Sequence, residues 1–284
     1  LDAGARGIKL HPRAEAFSLD APAAHDLAAL ADARGVPILL HAGRGIPALG
    51  RHTLSLAAAF PGARFILAHA AISDLAWLWR ELDDHPNVFV DTAWWSPADL
   101  LALFALVPPG RILFASDAPY GSTVQAALLV FRCGLQAGVT PEQLREVGGR
   151  QAGRLVAGEA PLDLGPAPGV VAERFVLDPL LDRVATYLTT AIGRIVSERD
   201  DGAESLELAR LACAVGEDSP HAALCAQTLE LLDRYDAFVA RAGERLRFSE
   251  LGILTTALTL VRTPAVGLPE LASEPRPVRS EIPA

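Results

Sequence analysis

Five short apolar segments follow one another at nearly regular spacing in the first half of this sequence. They are GIKLH at 7–11, VPILLH at 36–41, ARFILAH at 63–69, NVFVDT at 87–92 and RILFASD at 111–117. Each is rich in Ile, Leu, Val or Phe and is bounded by Gly, Pro or Asn, which is typical of buried parallel strands. Helical patterns lie between them, for example at 23–34, with Leu27, Leu30 and Ala31 on one stripe, and at 53–60.

The spacing of these segments predicts a barrel. The distances along the chain between Ile8, Ile38, Phe65, Val88 and Ile112 are 30, 27, 23 and 24 residues. Each interval is one βα unit, and eight such units form a TIM barrel of ~250 residues. The fold class predicted is therefore α/β, a (β/α)8 TIM barrel present as a C-terminal portion of about five units.

Polar side chains close every one of these strands, and they distinguish a barrel from an open sheet. The groups concerned are Lys9 and His11, His41, His69, Asp91, and Asp117. In a doubly wound sheet only the strands beside the switch point meet at one ligand, whereas a barrel gathers all strand ends at one mouth. Each residue alone has a structural explanation, as a hydrogen-bonded core histidine or a turn-forming aspartate. Five in register favour a functional site.

Composition excludes several partners. The chain of 284 residues is 51% hydrophobic with a net charge of −9 and no basic run, which argues against nucleic acid and anionic membrane surfaces. The expected partner is a small molecule. The three cysteines have no metal-ligand spacing and are expected to be buried, reduced thiols. No apolar run reaches the ~18 residues of a membrane span, so a cytoplasmic protein is expected.

The second half has a different pattern. The predicted organisation is a partial barrel at 1–158, a Pro/Gly-rich linker at 159–169, a helical extension at 170–265 and a disordered tail at 266–284. Helices are expected at 173–199, 204–215, 220–242 and 248–261, packing on the barrel or, in a homo-oligomer, on a partner subunit. His221 is expected on the surface.

The five strand segments resemble the amidohydrolase-related metal-dependent hydrolases of the amidohydrolase superfamily. GIKLHP, PILLHAG, FPGARFILAHA, HPNVFVDTA and ILFASDAPYG are similar to that family's motifs for strands 4 to 8, in order. The segment at 139–155 is similar to its closing helix, with Thr140, Pro141 and Gln143 as a capping-box start and Gln151 where Asn is usual. The resemblance also implies strands 1 to 3 upstream of Leu1, with an HxH metal-binding pair that these 284 residues lack.

The resemblance implies roles for three residues. His41 corresponds to the strand 5 metal ligand, and Asp117 to the strand 8 residue that binds the metal and accepts a proton from its water. His69 corresponds to the strand 6 residue that lies beside the water or substrate. One divalent metal ion is implied, with Zn²⁺ favoured and Mn²⁺ as an alternative.

Further residues are predicted to contact substrate. Strand alternation places Lys9, the only lysine in the chain, and His11 on the same side, facing the barrel interior, where Lys9 is expected to be buried as a substrate-facing cation. The other members of this set follow strands at the mouth and would suit an aromatic or carboxylated substrate: Arg44, Trp94, Trp95 and Tyr120. The Trp pair could equally pack under a loop.

Three functions remain open from the sequence. The first is hydrolysis of an amide, ester or lactone-like carbonyl by metal-activated water. The second is nonoxidative decarboxylation of an aromatic acid on the same barrel. The third is an inactive family member whose helical half mediates assembly.

Overall fold

The computed structural model of the chain describes residues 1–43, 45–46, 48–242 and 248–268. Five parallel strands form one sheet: β1 (Ile8–Leu10), β2 (Pro37–Leu40), β3 (Arg64–Leu67), β4 (Val88–Asp91) and β5 (Ile112–Leu113). Their order in the sheet is the order in the sequence. In a doubly wound sheet the order of the strands reverses at a switch point, whereas the order of these five strands continues in one direction. The prediction of a partial barrel is therefore confirmed.

Helices follow the strands and cover one face of the sheet: α1 (Pro22–Arg34), α2 (Leu49–Ala59), α3 (Leu75–Leu78), α4 (Pro97–Leu106) and α5 (Thr123–Ala137). The predicted stripe of α1 is partly wrong, because Leu30 is 40% exposed while Ala24, Ala28 and Ala31 are buried. Small alanines let α1 pack closely on the sheet. Helix α2 begins at Leu49, four residues before the predicted start.

The core of the barrel part lies between the sheet and these helices. Phe65 and Leu67 of β3 and Leu100 and Phe104 of α4 are fully buried within it. Burying each such side chain contributes about 1.5–3 kcal/mol relative to exposing it. The opposite face of the strands is the side on which the predicted polar residues lie.

The closing helix begins as predicted and then changes form. Thr140 caps α6 (Pro141–Arg145) with a full capping box to Gln143. A π-helical turn at Glu146–Arg150 follows, and then α7 (Gln151–Val156). Gln151 is fully buried; its amide donates to the carbonyls of Gly110 and Leu162 and accepts from Leu162 N. The Gln found in place of the usual Asn therefore fixes the segment that leaves the barrel.

Residues 159–169 contain neither helix nor strand. Beyond them are α8 (Ala172–Phe175), α9 (Pro179–Val196), α10 (Ala203–Ala212), α11 (Ala222–Ala242) and α12 (Phe248–Arg262). The prediction of a single helix at 173–199 is wrong. A residue that precedes a proline disfavours helical geometry, so the helix is interrupted before Pro179 and α8 and α9 are separate. Residues 269–284, most of the predicted disordered tail, lie outside the described ranges.

His221 is more buried than predicted. Its side chain is 19% exposed, and its Nε2 lies 3.5 Å from the carboxylate of Asp178. Asp178 is also the N-cap of α9, where it accepts a hydrogen bond from Leu180 N. The pair therefore joins the start of α11 to the start of α9.

The helical extension has its own apolar core and packs on the barrel through α5. Arg132 of α5 is 7% exposed and donates to Thr263 Oγ1 and to the carbonyls of Thr263, Val266 and Gly267. Gln136 of α5 donates to the carbonyl of Arg174 and accepts from Ala265 N. The extension therefore contacts the barrel, which is one of its two predicted packing partners.

None of the helices in the described ranges combines the length and apolar composition that crossing a bilayer requires. The three cysteines, Cys133, Cys213 and Cys225, are free and buried, as predicted.

Candidate functional site

Three histidines lie side by side where the first three strands end. The rings of His11 and His41 stack with centroids 3.8 Å apart, and the ring of His69 meets that of His41 edge-on at 4.6 Å. They come together because β1, β2 and β3 are adjacent and parallel, so equivalent strand ends share one edge. The sequence predicted this row from the position of each histidine after its strand.

Hydrogen bonds set the tautomer of His69. Its Nδ1 lies 2.7 Å from the carbonyl oxygen of Ala93, which can only accept, so Nδ1 carries a proton. In the neutral ring the lone pair is then on Nε2, which lies 3.0 Å from His41 Nδ1. A ring whose second nitrogen is fixed in this way is typical of metal-ligating histidines.

Asp91 holds the backbone around His69. Its Oδ1 accepts hydrogen bonds from His69 N at 2.9 Å and Ala93 N at 3.0 Å. Burial raises the Asp91 pKa, and these two hydrogen bonds oppose the shift. The sequence identified Asp91 only as a strand-end carboxylate; the structure makes it a positioning residue for His69.

The two residues with predicted catalytic roles share a strained backbone. His69 has φ of 58° and Asp117 has φ of 56°, both in the left-handed region that costs non-glycine residues about 1–3 kcal/mol. Ala70 and Ala71 continue the left-handed turn after His69. Strain of this kind often occurs at functional sites, where the surrounding structure maintains it. No sequence signal indicated this turn, because alanine does not favour it.

Burial and neighbouring charges keep His41 neutral. The pKa of His41 is lowered to about 4, first by burial and then by the neighbouring His69, His11 and Lys9. At neutral pH His41 is therefore an uncharged imidazole. Only that form can serve as a ligand or hydrogen-bond acceptor.

Lys9 differs from its prediction, because it is exposed rather than buried. It lies on β1, the edge strand of the described sheet, so no neighbouring strand covers it on one side. Partial loss of water around its ammonium group still lowers its pKa, and the charges of Asp91 and Asp117 oppose that shift. Lys9 therefore lies within electrostatic reach of Asp91, the last residue of β4, and of Asp117, which follows β5.

A cleft of about 350 Å³ opens beside the histidine row. His69, Asp117, Trp94, Trp95 and Tyr120 all line it. The indole rings of Trp94 and Trp95 are 5.5 Å apart, and Trp94 Nε1 donates to Asp99 at 2.6 Å. Trp94 is thus fixed to α4 and lines the cleft at the same time, whereas Tyr120 is 70% exposed at the rim.

Other predicted site residues lie outside this lining. His41 contacts His69 and His11 stacks on His41, but neither these two histidines nor Lys9 line the cleft. Arg44 lies outside the described residues. Sequence reasoning missed one whole wall of the cleft, which comes from the helical extension: Ile192 and Val196 of α9, and Leu251, Gly252 and Thr255 of α12. On an amphipathic helix such residues are indistinguishable from core positions.

The donor chemistry matches part of a metal site. Imidazole and carboxylate suit Zn²⁺ or a similar divalent ion, and the 3.0 Å between His41 Nδ1 and His69 Nε2 is close to the ~3.4 Å between two nitrogens of one tetrahedral zinc. Gly43 also leaves the other side of His41 open, since a Cβ there would lie 2.6 Å from His41 Nε2. Across the described ranges, however, no three His, Cys, Asp or Glu side chains are arranged to hold an ion. These residues would therefore supply only part of the ligands that a metal ion needs.

Solved structures similar to this chain include several of the barrel class. They include an uncharacterised TIM-barrel protein from Bordetella bronchiseptica, at 19% identity over 55% of this chain and 59% of that one, with a TM-score of 0.47. A 4-oxalomesaconate hydratase from Rhodopseudomonas palustris matches at 17% identity, 55% and 57% coverage and a TM-score of 0.42. A 5-carboxyvanillate decarboxylase from Sphingomonas paucimobilis matches at 19% identity over 54% of this chain and 58% of that one, with a TM-score of 0.39.

The chain spans a little under three fifths of the length of each of these proteins. Among curated proteins, none matches this sequence. A family model described as amidohydrolase (Amidohydro_2) matches residues 1–156. That range contains all five strands and ends at the last residue of α7. The chain belongs to this amidohydrolase family, whose superfamily consists of metal-dependent enzymes.

Proposed function

We propose that the chain is part of a metal-dependent hydrolase that acts on an amide, ester or lactone-like carbonyl of a small carboxylated or aromatic molecule. One divalent ion, Zn²⁺ or alternatively Mn²⁺, is its cofactor, with His41 and Asp117 among the ligands. The barrel part at 1–158 carries the chemistry. The helical extension at 170–265 supports it and provides the surface for any homo-oligomer.

The observation that carries this proposal is the pairing of His41 with His69 beside Asp117. The two imidazole rings lie at hydrogen-bond distance, and a carboxylate lines the same cleft as one of them. A bound divalent ion supplies Lewis-acid polarisation and lowers the pKa of water. Asp117, exposed to the cleft, is suited to accept a proton. His69 would hydrogen-bond a developing oxyanion through Nε2 once that nitrogen carries a proton, because its Nδ1 proton is held by the Ala93 carbonyl.

Substrate contacts follow from the walls of the cleft. Trp94 and Trp95 offer aromatic faces, which favour planar groups. Lys9 provides a cation near the same end, and Arg44 is proposed as a second carboxylate contact on sequence grounds. His11 stacks on His41 and is proposed to act on the substrate side of the row.

The experiment measures metal content and turnover together. The purified protein is loaded with Zn²⁺ or Mn²⁺, its metal content is determined by mass spectrometry, and a panel of aryl esters, lactones and amides is tested. Hydrolysis that requires about one ion per chain supports the proposal. Stoichiometric metal without hydrolysis of any carbonyl substrate rejects the hydrolase assignment.

Nonoxidative decarboxylation is the second candidate, because the aromatic cleft and the nearby Lys9 suit an aromatic carboxylate. Hydroxybenzoates are the appropriate substrates, and the readout is carbon dioxide. Release of carbon dioxide without hydrolysis selects this function. A third proposal, an inactive member with an assembly role, is supported instead if the protein binds fewer than one ion per several chains.

A further inference from the structure

The cleft continues beyond the candidate catalytic residues into a space between three helices. One wall is α5, and the other is formed by α9 and α12 of the helical extension. We call this part the arm pocket; its lining residues are Gln125, Ala126, Leu129, Ile192, Val196, Leu251, Gly252 and Thr255. Because it is continuous with the end lined by His69 and Asp117, one molecule can occupy both parts.

The arm pocket has no charged lining residue among the described part of the chain. Two of its polar side chains are joined to each other, since Gln125 Nε2 donates to Thr255 Oγ1. Thr255 Oγ1 also donates to the carbonyl of Gly252. Thr255 therefore requires no polar partner from a ligand, Gln125 Oε1 can accept one hydrogen bond, and the remaining surface is aliphatic.

Gly252 shows how closely the two walls approach each other. A Cβ at this position would lie 2.6 Å from Gln125 Oε1. Glycine inside a helix is about 1 kcal/mol less favourable than alanine, and here its small size lets α12 pack against the Gln125 amide. Close packing of α12 against α5 therefore forms one side of the pocket, at the interface between the barrel and the extension.

We propose that the arm pocket binds an uncharged hydrocarbon arm of the substrate, so that the helical extension determines substrate specificity. The inference rests on the proposed function, because the reactive group of the same molecule lies at His69 and Asp117. An apolar arm gains about fourfold in affinity for each methylene it buries. A charged arm would lose its hydration without gaining a partner.

The test uses the complete chain without added metal and the series benzoate, 4-methylbenzoate, 4-ethylbenzoate and 4-butylbenzoate. Calorimetry gives Kd for each ligand. The wild type is expected to bind about fourfold more tightly per methylene added over the first carbons. Val196→Trp fills the pocket from its rim and should remove the dependence on alkyl length while leaving benzoate affinity unchanged. Leu251→Trp should do the same from α12, the second helix of the wall that includes Val196.

Leu180→Trp is the matched control, because Leu180 lies on the same helix as Val196, is equally exposed at 42%, and does not line the cleft. Leu180→Trp should retain the wild-type dependence of Kd on alkyl length. A wild-type series with no dependence on alkyl length, or equal slopes in Val196→Trp and wild type, would overturn the inference. Metal content and turnover are measured separately, so a length-dependent series without turnover rejects the proposed function and leaves the arm pocket standing.

Discussion

His69 Nε2 lies 3.0 Å from His41 Nδ1, and the other nitrogen of His69 is fixed by the Ala93 carbonyl. The two residues are 28 positions apart and occupy the ends of adjacent strands. Because His69 donates through Nδ1, its Nε2 lone pair faces His41. His41 Nδ1 can donate a proton to that lone pair, and the low pKa of His41 keeps its ring neutral, which is the form that would hold a metal ion.

Metal binding should depend on both rings. His41→Ala and His69→Ala are each expected to weaken Zn²⁺ binding by about 10–100-fold, because each removes one imidazole of the hydrogen-bonded pair. Titration with a competing zinc chelator measures the affinity. His52→Ala is the control, since His52 lies on α2 and contacts Ser18 at 3.4 Å. Equal affinity in all three variants would contradict a shared ion.

Asp117→Asn should abolish turnover in the complete protein with the fold intact. Asparagine tolerates the left-handed backbone that Asp117 adopts, but it cannot accept the proton. The kcat is expected to fall at least about a hundredfold, the usual contribution of a general base. Asp84→Asn, an exposed residue before β4, is the control. A near-normal kcat would refute the role of Asp117.

Asp91 should matter for stability through its two backbone contacts. Asp91→Ala leaves His69 N and Ala93 N without their acceptor, and each unsatisfied buried donor costs about 1–3 kcal/mol. The free energy of unfolding in urea is therefore expected to fall by about 2–5 kcal/mol. Asp91→Asn retains an acceptor oxygen and should lose clearly less. Equal losses would show that the charge, rather than the acceptor, stabilises this turn.

The barrel part was predictable because its signals are local. Each strand is an apolar run with a polar end, so the adjacency of His41 and His69 followed from the parallel order of β2 and β3. What the sequence could not indicate depends on tertiary contacts. The exposure of Lys9 reflects its place on an edge strand, and the turn at His69 is held by Asp91, 22 residues away.

The structure of the helical extension was also only partly predictable from the sequence. Its amphipathic patterns predicted helices, but the helical pattern does not reveal which apolar residues face another helix and which face a cleft. Val196 and Leu251 therefore looked like ordinary core residues until α9 and α12 were placed against α5. The break before Pro179 was the one boundary that proline chemistry could have indicated.

Arg132 should connect the extension to the barrel. Its buried guanidinium donates to Thr263, Val266 and Gly267, a fork that lysine cannot reproduce. Arg132→Lys is expected to lower the free energy of unfolding by about 2–4 kcal/mol, and limited proteolysis should cleave the chain near 159–169 sooner. Arg145→Lys, in an exposed i,i+3 pair with Glu142, should change stability by less than about 0.5 kcal/mol. Comparable losses of stability in both variants would show that the hydrogen bonds of Arg132 do not hold the extension on the barrel.

The three thiols should be nearly inert in the folded protein. Burial raises the pKa of Cys133 and Cys225, and it raises that of Cys213 to about 12. The thiolate is the reactive form of cysteine. For Cys213, a pKa about three units above normal leaves roughly a thousandfold less thiolate at pH 8.

Ellman's reagent should label the native chain at least about a hundredfold more slowly than the urea-unfolded chain, which should yield three thiols. The slow native rate should rise about tenfold per pH unit from 7 to 9 without a plateau, whereas a normal thiol levels off near its pKa. Rapid labelling of any one native thiol would show that its side chain is open to solvent.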